Sequence, residues 1–221
     1  REASATPNDT YYSSQWHLPK ISAPTGWDIS TGSGAVSIAV IDSGVDATHP
    51  DLAGKLIEGY NFLYSNNNTD DIHGHGTKVS GLAAAITNNT TGIAGVGWNN
   101  TIMPLLVVTS SGSASDLNIA KAITYAADRG VRVMNLSLGG PGSSSTLQNA
   151  VDYAWNKGGV IIAAAGNSSS SEPEYPAACN NVVAVTATTS SDAMASWSSY
   201  GNWVDVAAPG ASVYTSLNGG G

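Results

Sequence analysis

Three residues stand where chemistry is possible. Asp42 ends Ala35–Asp42 (AVSIAVID), an apolar and β-branched run that reads as a buried strand. A carboxylate at such a place is costly without a partner. Thirty-three residues later, His75 stands in His73-Gly-His75-Gly-Thr-Lys-Val-Ser-Gly81 at the opening of a helical stretch. An imidazole N–H is a natural partner for the Asp42 carboxylate, and a ring held in that way can take up a proton and return it. Asn167 follows another apolar run, Gly159–Ala165, and Gly166, and so also falls just past the end of a predicted strand. Each residue also has an ordinary role. Asp42 can cap a turn, the two histidines can be exposed loop residues or a weak metal pair, and Asn167 can be a turn residue.

The surrounding elements decide whether the three can meet. After a polar arm over residues 1–34, with one short helical stretch at Ser22–Ile29, strands and helices alternate. His75–Thr87 reads as a helix and Ile102–Val108 as a strand. Leu117, Ala120, Ile123 and Ala127 share one face of a helix over Asp116–Arg129. Val131–Ser137 is a strand, Ser145–Lys157 an amphipathic helix, and Gly159–Ala165, Asn181–Thr186 and Trp203–Ala207 are strands. This pattern predicts an α/β fold of three layers, a mostly parallel central sheet with helices on both faces. Ligands of such sheets sit beyond the carboxyl ends of the strands. Asp42-Ser43-Gly44, Ser137-Leu138-Gly139 and Gly166-Asn167 all fall there.

Composition removes several classes. The chain has 221 residues and a formal charge of −8, with only 8 Lys and Arg, too few and too scattered for a nucleic-acid surface. No apolar run approaches the ~18–20 residues that a bilayer needs, so no membrane partner is expected. The single cysteine, Cys179, excludes an internal disulfide framework and reads as a small buried hydrophobe rather than a reactive thiol. The G-x-S-x-G elbow, HExxH, G-x-G-x-x-G after a strand and the Walker loop are all absent. An unrelated α/β ligand-binding domain therefore loses its main support.

The segments IDSGVDATHPDLAGK, GHGTKVSG, AAAITNNTTGIAG, ITYAADRG, NLSLGG, AVDYAWNKGG, AAAGN and YGNWVDVAAPG together resemble the subtilases, the subtilisin-type serine endopeptidases. The resemblance runs from about residue 8 to the C-terminus. It implies that Asp42 orients the imidazole, that His75 is general base and then general acid, and that Asn167 supplies the oxyanion donor. It also implies a peptide substrate bound as an added strand between Ser137-Leu138-Gly139 and Gly112-Ser113-Ala114. Ala164, Ala165 and Gly166 would form part of the pocket for the residue before the cut. That region shows no charge in the sequence, so broad specificity favouring apolar or aromatic residues is expected. A structural Ca²⁺ is implied at the side chains of Asp9, Asp51 and Asn89 and the carbonyls of Ile86, Thr91 and Ile93. A second family site would fall in Asn61–Asp70, where Asn61, Tyr64 and Asn66 replace acids. Lys78 and Ser80 stand where the family usually has His and Ala.

The family's nucleophile lies in a Gly-Thr-Ser motif that occurs nowhere in the 221 residues. By family order it is expected roughly ten residues beyond Gly221, so the chain reads as one catalytic domain ending before its nucleophile helix and inactive alone. Without that helix, apolar surface is expected to stay uncovered. The alternative is a non-catalytic relative that binds peptides without cutting them. The N-terminal residues are polar with no signal h-region, so a secreted, monomeric protein is expected, its export signal removed upstream and a removed pro-segment among its partners.

Overall fold

The computed structural model describes residues 6–220; the first five residues of the expected arm and Gly221 lie outside them. The described part of the arm is a 3₁₀ turn, Tyr12–Ser14, and two short helices, α1 (His17–Lys20) and α2 (Ala23–Trp27). It is packed down. Leu18, Ala23 and Trp27 bury against Ala94, and the Gln15 amide pairs with both backbone groups of Ala94 at 2.8 and 2.9 Å.

Then follow β1 (Ser37–Asp42), β2 (Tyr60–Asn61), α3 (His75–Ala84), β3 (Thr101–Leu106), α4 (Asp116–Asp128), β4 (Val133–Leu136) and β5 (Gly140–Pro141). The rest are α5 (Ser145–Asn156), β6 (Val160–Ala164), β7 (Glu174–Tyr175), β8 (Val182–Thr188) and β9 (Val206–Pro209). Seven strands form one parallel sheet in the order β2-β3-β1-β4-β6-β8-β9, while β5 and β7 make a separate antiparallel pair. The α/β architecture expected from the alternation is present.

Side-chain alternation along β1 assigns the two faces. Ala39 and Ile41 point into the main core with Ile119, Ile123, Leu147 and Val151 of α4 and α5. Val40 points the other way, with Ile102, against Ala84 of α3. Ser115 Oγ caps α4 by accepting from Asn118 N–H, and Ser144 Oγ caps α5 by accepting from Leu147 N–H. Coverage of the second face is uneven. Beyond α3, the residues Asn135, Ile162, Val185, Ala187 and Ala208 line an open cavity of about 320 Å³.

Several boundaries differ from those expected. The helix opened by His75 stops at Ala84 because Ile86 N–H turns away to the Asp51 carbonyl. The last strand begins at Val206, since residues 201–204 close a turn and the Trp203 indole N–H bonds the Ser171 carbonyl. The two-residue strands β2, β5 and β7 have no periodicity to read. Cys179 is buried, and desolvation pushes its thiol up to about 11.

Candidate active site

Asp42 and His75 meet at the carboxyl edge of the sheet. β1 lies between β3 and β4, so the Asp42 side chain is fully buried. Nδ1 of His75 is 2.8 and 2.9 Å from its two carboxylate oxygens, and the N–H of Ser43 donates to Oδ1 at 2.7 Å. The imidazole is 41% exposed, and its Nε2 has no hydrogen-bond partner among the described residues. The hydrogen bond to Asp42 raises the pKa of His75 above its ordinary 6.5; burial opposes this, the charges of Asp42 and Asp71 add to it, and Lys78 works against it. Because the folded value is the higher one, the pair's stabilisation is complete below the ordinary pKa and is lost as pH rises through the raised one.

The pair depends on how α3 begins. Gly74, at the helix N-cap, offers no side chain, so the free N–H groups of the first turn need other acceptors. Asp71 Oδ1 accepts from the N–H groups of His73 and Gly74 at 3.0 and 2.7 Å and from Ser43 Oγ at 2.7 Å. Its Oδ2 accepts from the N–H and hydroxyl of Thr77 at 2.9 and 2.6 Å. Ser43 Oγ in turn accepts from Gly76 N–H at 2.9 Å. Burial works to raise the Asp71 pKa, but these hydrogen bonds outweigh it and hold the carboxyl below its usual range. The sequence reading placed Ser43 at the strand's end without a role and passed over Asp71 and Thr77. The signal was available, since an acid just before a helix with no N-cap side chain is a capping position. Gly76 completes the docking: a Cβ there would lie 2.0 Å from the Gly44 carbonyl oxygen and 3.2 Å from the Asp42 Cβ.

A cleft of about 350 Å³ opens beside His75. Gly112 and Ala114 line it on one side, Ser137, Leu138 and Gly139 on another, with Asn167 and His73 also on its wall. Ser113 is not in that lining; its carbonyl accepts from Thr109 N–H within its own turn. Ala164, Ala165 and Gly166 line the adjoining sheet-face cavity, and Ser137 and Asn167 border both spaces. An acid stands beside the region expected to be uncharged. The Glu174 carboxylate lies against Gly166, brought from six residues beyond Ser168 by the pairing of β7 with β5.

Two of the residues expected to hold a cation, Asp9 and Asp51, reach the same loop, residues 88–93. Asp9 and Asp51 are buried, and neither forms an ion pair among the described residues. Asp51 accepts from Ile93 N–H at 2.8 Å and from Asn89 Nδ2 at 3.0 Å, while Asp9 accepts from Asn88 N–H at 2.8 Å. Their carboxylates supply hard oxygen atoms of the kind that Ca²⁺ takes. The Asn89 oxygen accepts from Thr91 N–H at 2.8 Å, so that amide joins the set only when turned over. In the loop Asn61–Asp70, the Asn61 oxygen is occupied by the N–H groups of Leu63 and Tyr64.

The sequence profile described as Subtilase family matches residues 33–220. Thermitase of Thermoactinomyces vulgaris is 50% identical over 211 residues, covering 95% of this chain and 75% of its own. The thermophilic serine proteinase of Bacillus sp. (strain AK1) is 50% identical over 218 residues, and the match spans 98% of this chain but only 54% of that protein. Among solved structures, a protease from Pseudoalteromonas arctica PAMC 21717 superposes with a TM-score of 0.84 at 35% identity, covering 93% of this chain and 73% of that one.

Proposed function

This chain belongs to the subtilase family, and on that premise we propose that it is the acid–base and substrate-binding part of a secreted serine endopeptidase. The observation that carries the reading is the Asp42–His75 pair, a fully buried carboxylate on Nδ1 of an imidazole that borders an open cleft. In this reading a serine hydroxyl attacks the peptide carbonyl as His75 Nε2 takes its proton. Asp42 holds the ring and stabilises its cation, and the Asn167 amide donates to the oxyanion. His75 then returns the proton to the departing amine, and water repeats the sequence on the acyl ester. The substrate lies extended between Gly112–Ala114 and Ser137–Gly139, using main-chain hydrogen bonds.

The serine is proposed to come from outside these 221 residues. No hydroxyl bonds Nε2 among the described residues, and the sheet face over Ile162 and Val185 is open in a way that a further helix would fill. The test is peptide hydrolysis by the chain as it stands and by the chain extended with a segment carrying Gly-Thr-Ser. The extended protein is expected to cleave, and the 221-residue chain to be slower by about 10⁶-fold, the scale of losing a triad serine. An extended protein that folds and binds peptides without cutting them overturns the proposal.

Ca²⁺ would be held by the Asp9 and Asp51 carboxylates with the Ile86, Thr91 and Ile93 carbonyls and a turned Asn89, and it would neutralise two buried charges. At about a hundredfold excess over Kd, such binding stabilises by ~2.7 kcal/mol. Chelation is therefore expected to lower Tm by roughly 5–10 °C in a domain of this size, and Asp51→Asn to abolish the calcium dependence. An unchanged Tm on chelation removes the ion from the reading. A millimolar-calcium, extracellular setting fits such a loop and a surface with few charges, as does release from a pro-segment and action as a monomer.

A further inference from the structure

The structure holds an acid that the family roles leave unused. β4 and β6 are neighbours in the sheet, so the turns that follow them run side by side and leave a slot between Gly139 and Gly166. β7 closes the far end of that slot through its pairing with β5, Gly140 opposite Tyr175 and Pro141 opposite Glu174. From β7 the Glu174 carboxylate reaches into the slot. A Cβ on Gly166 would lie 2.3 Å from Cδ, Oε1 and Oε2 alike, so only glycine leaves room for the acid. On the opposite wall, a Cβ on Gly139 would lie 3.7 Å from Oε2, 3.4 Å from the Tyr175 carbonyl oxygen and 3.9 Å from that of Ala164. The hydroxyls of Ser168 and Ser199 donate to Oε1 at 2.8 and 3.2 Å and fix the group. Oε2 accepts no hydrogen bond and Glu174 forms no ion pair among the described residues.

We propose that Glu174 makes this slot selective for a cationic side chain, lysine or arginine, at the residue immediately before the bond to be cut. The inference rests on the peptide-cleaving reading of the cleft, in which the carbonyl of that residue meets Asn167, one residue beyond Gly166. Its side chain then enters between Gly139 and Gly166 and ends at Oε2, flanked by two carbonyl oxygens. An ammonium or guanidinium supplies the donors that these oxygens lack and neutralises the carboxylate. A neutral aliphatic or aromatic side chain strips water from Oε2 and gives nothing back, and that asymmetry is the source of discrimination. The chain's net charge of −8 adds a long-range attraction of the same sign.

The test measures binding, so it needs no nucleophile. Acetylated tetrapeptide amides identical except for lysine, arginine, norleucine or glutamate at the position that enters the slot are titrated into the 221-residue protein by calorimetry. Norleucine keeps the length and apolar character of lysine and lacks only its charge. Lysine and arginine peptides are expected to bind about 10- to 100-fold more tightly than the norleucine peptide, the range of one hydrogen bond to a charged group, and glutamate most weakly. Glu174→Gln keeps an acceptor for Ser168 and Ser199 and should bring the lysine-to-norleucine ratio to near one. Equal binding of lysine and norleucine by the parent, or a ratio that survives Glu174→Gln, overturns the proposal and leaves the peptide cleft standing. If no peptide of the series binds, the cleft reading falls and the proposal with it. Circular dichroism reports whether Glu174→Gln folds; if it does not, the lysine, norleucine and glutamate series on the parent decides alone.

Discussion

Asp42→Asn in the extended protein that carries a nucleophile is expected to lower turnover by about 10⁴-fold, the scale seen when the triad acid is lost in serine proteases, with a much smaller change in KM. Asparagine has nearly the same shape, so Ser43 N–H keeps an acceptor. The imidazole loses its anionic partner. Neither its tautomer nor its cation is then favoured, and the His75 pKa should fall from its raised value. Because His75 must be neutral to accept a proton, the acid limb of the activity profile should move to lower pH in the variant even as the plateau collapses. Proton NMR of the imidazole, followed through a pH titration of the 221-residue chain, gives the same pKa without any turnover. A His75 pKa that Asp42→Asn leaves in place would contradict the assignment.

The second large effect concerns a residue without a side chain. Gly76→Ala puts a methyl 2.0 Å from the Gly44 carbonyl oxygen, a backbone atom that cannot swing aside. Overpacking of this kind costs about 3 kcal/mol, at the upper end of what tight cores tolerate, which corresponds to a Tm drop of roughly 6–12 °C. Relief by sliding α3 outward carries His75 away from Asp42, so the imidazole pKa should also move back toward its ordinary value. Gly26→Ala is the control, because a Cβ there meets nothing within 4 Å. It should be neutral or slightly stabilising, as alanine is the better helix former. Equal Tm values for the two variants would show that α3 does not dock as described.

The sheet and the acid–base pair were legible because they rest on long apolar runs. SIAVID of β1 is buried on both faces and so reads as continuous hydrophobicity, and its terminal acid stands out against that run. The helices α4 and α5 announce themselves by period and by Ser115 and Ser144 at their starts. What escaped depends on contacts distant in sequence or too short to have a pattern. Two-residue strands such as β5 and β7 show no alternation, yet their pairing brings Glu174 from a distant loop against Gly166. Asp71 is hidden for a similar reason. Its neighbours in the chain are polar, and only the fold brings Ser43 and Thr77 onto it.

The helix that carries His75 is held at both ends. Near the imidazole it is fastened by Ser43 and Asp71; at its other end the Asp51 carbonyl receives Ile86 N–H, and the arm grips the same loop through Tyr11 N–H on the Gly92 carbonyl. Ten residues at 1.5 Å each make a strut only ~15 Å long between these anchorages. Slack introduced at the remote anchorage therefore reaches the imidazole as play, and warming that frees the arm would blunt the chemistry well before the sheet itself comes apart.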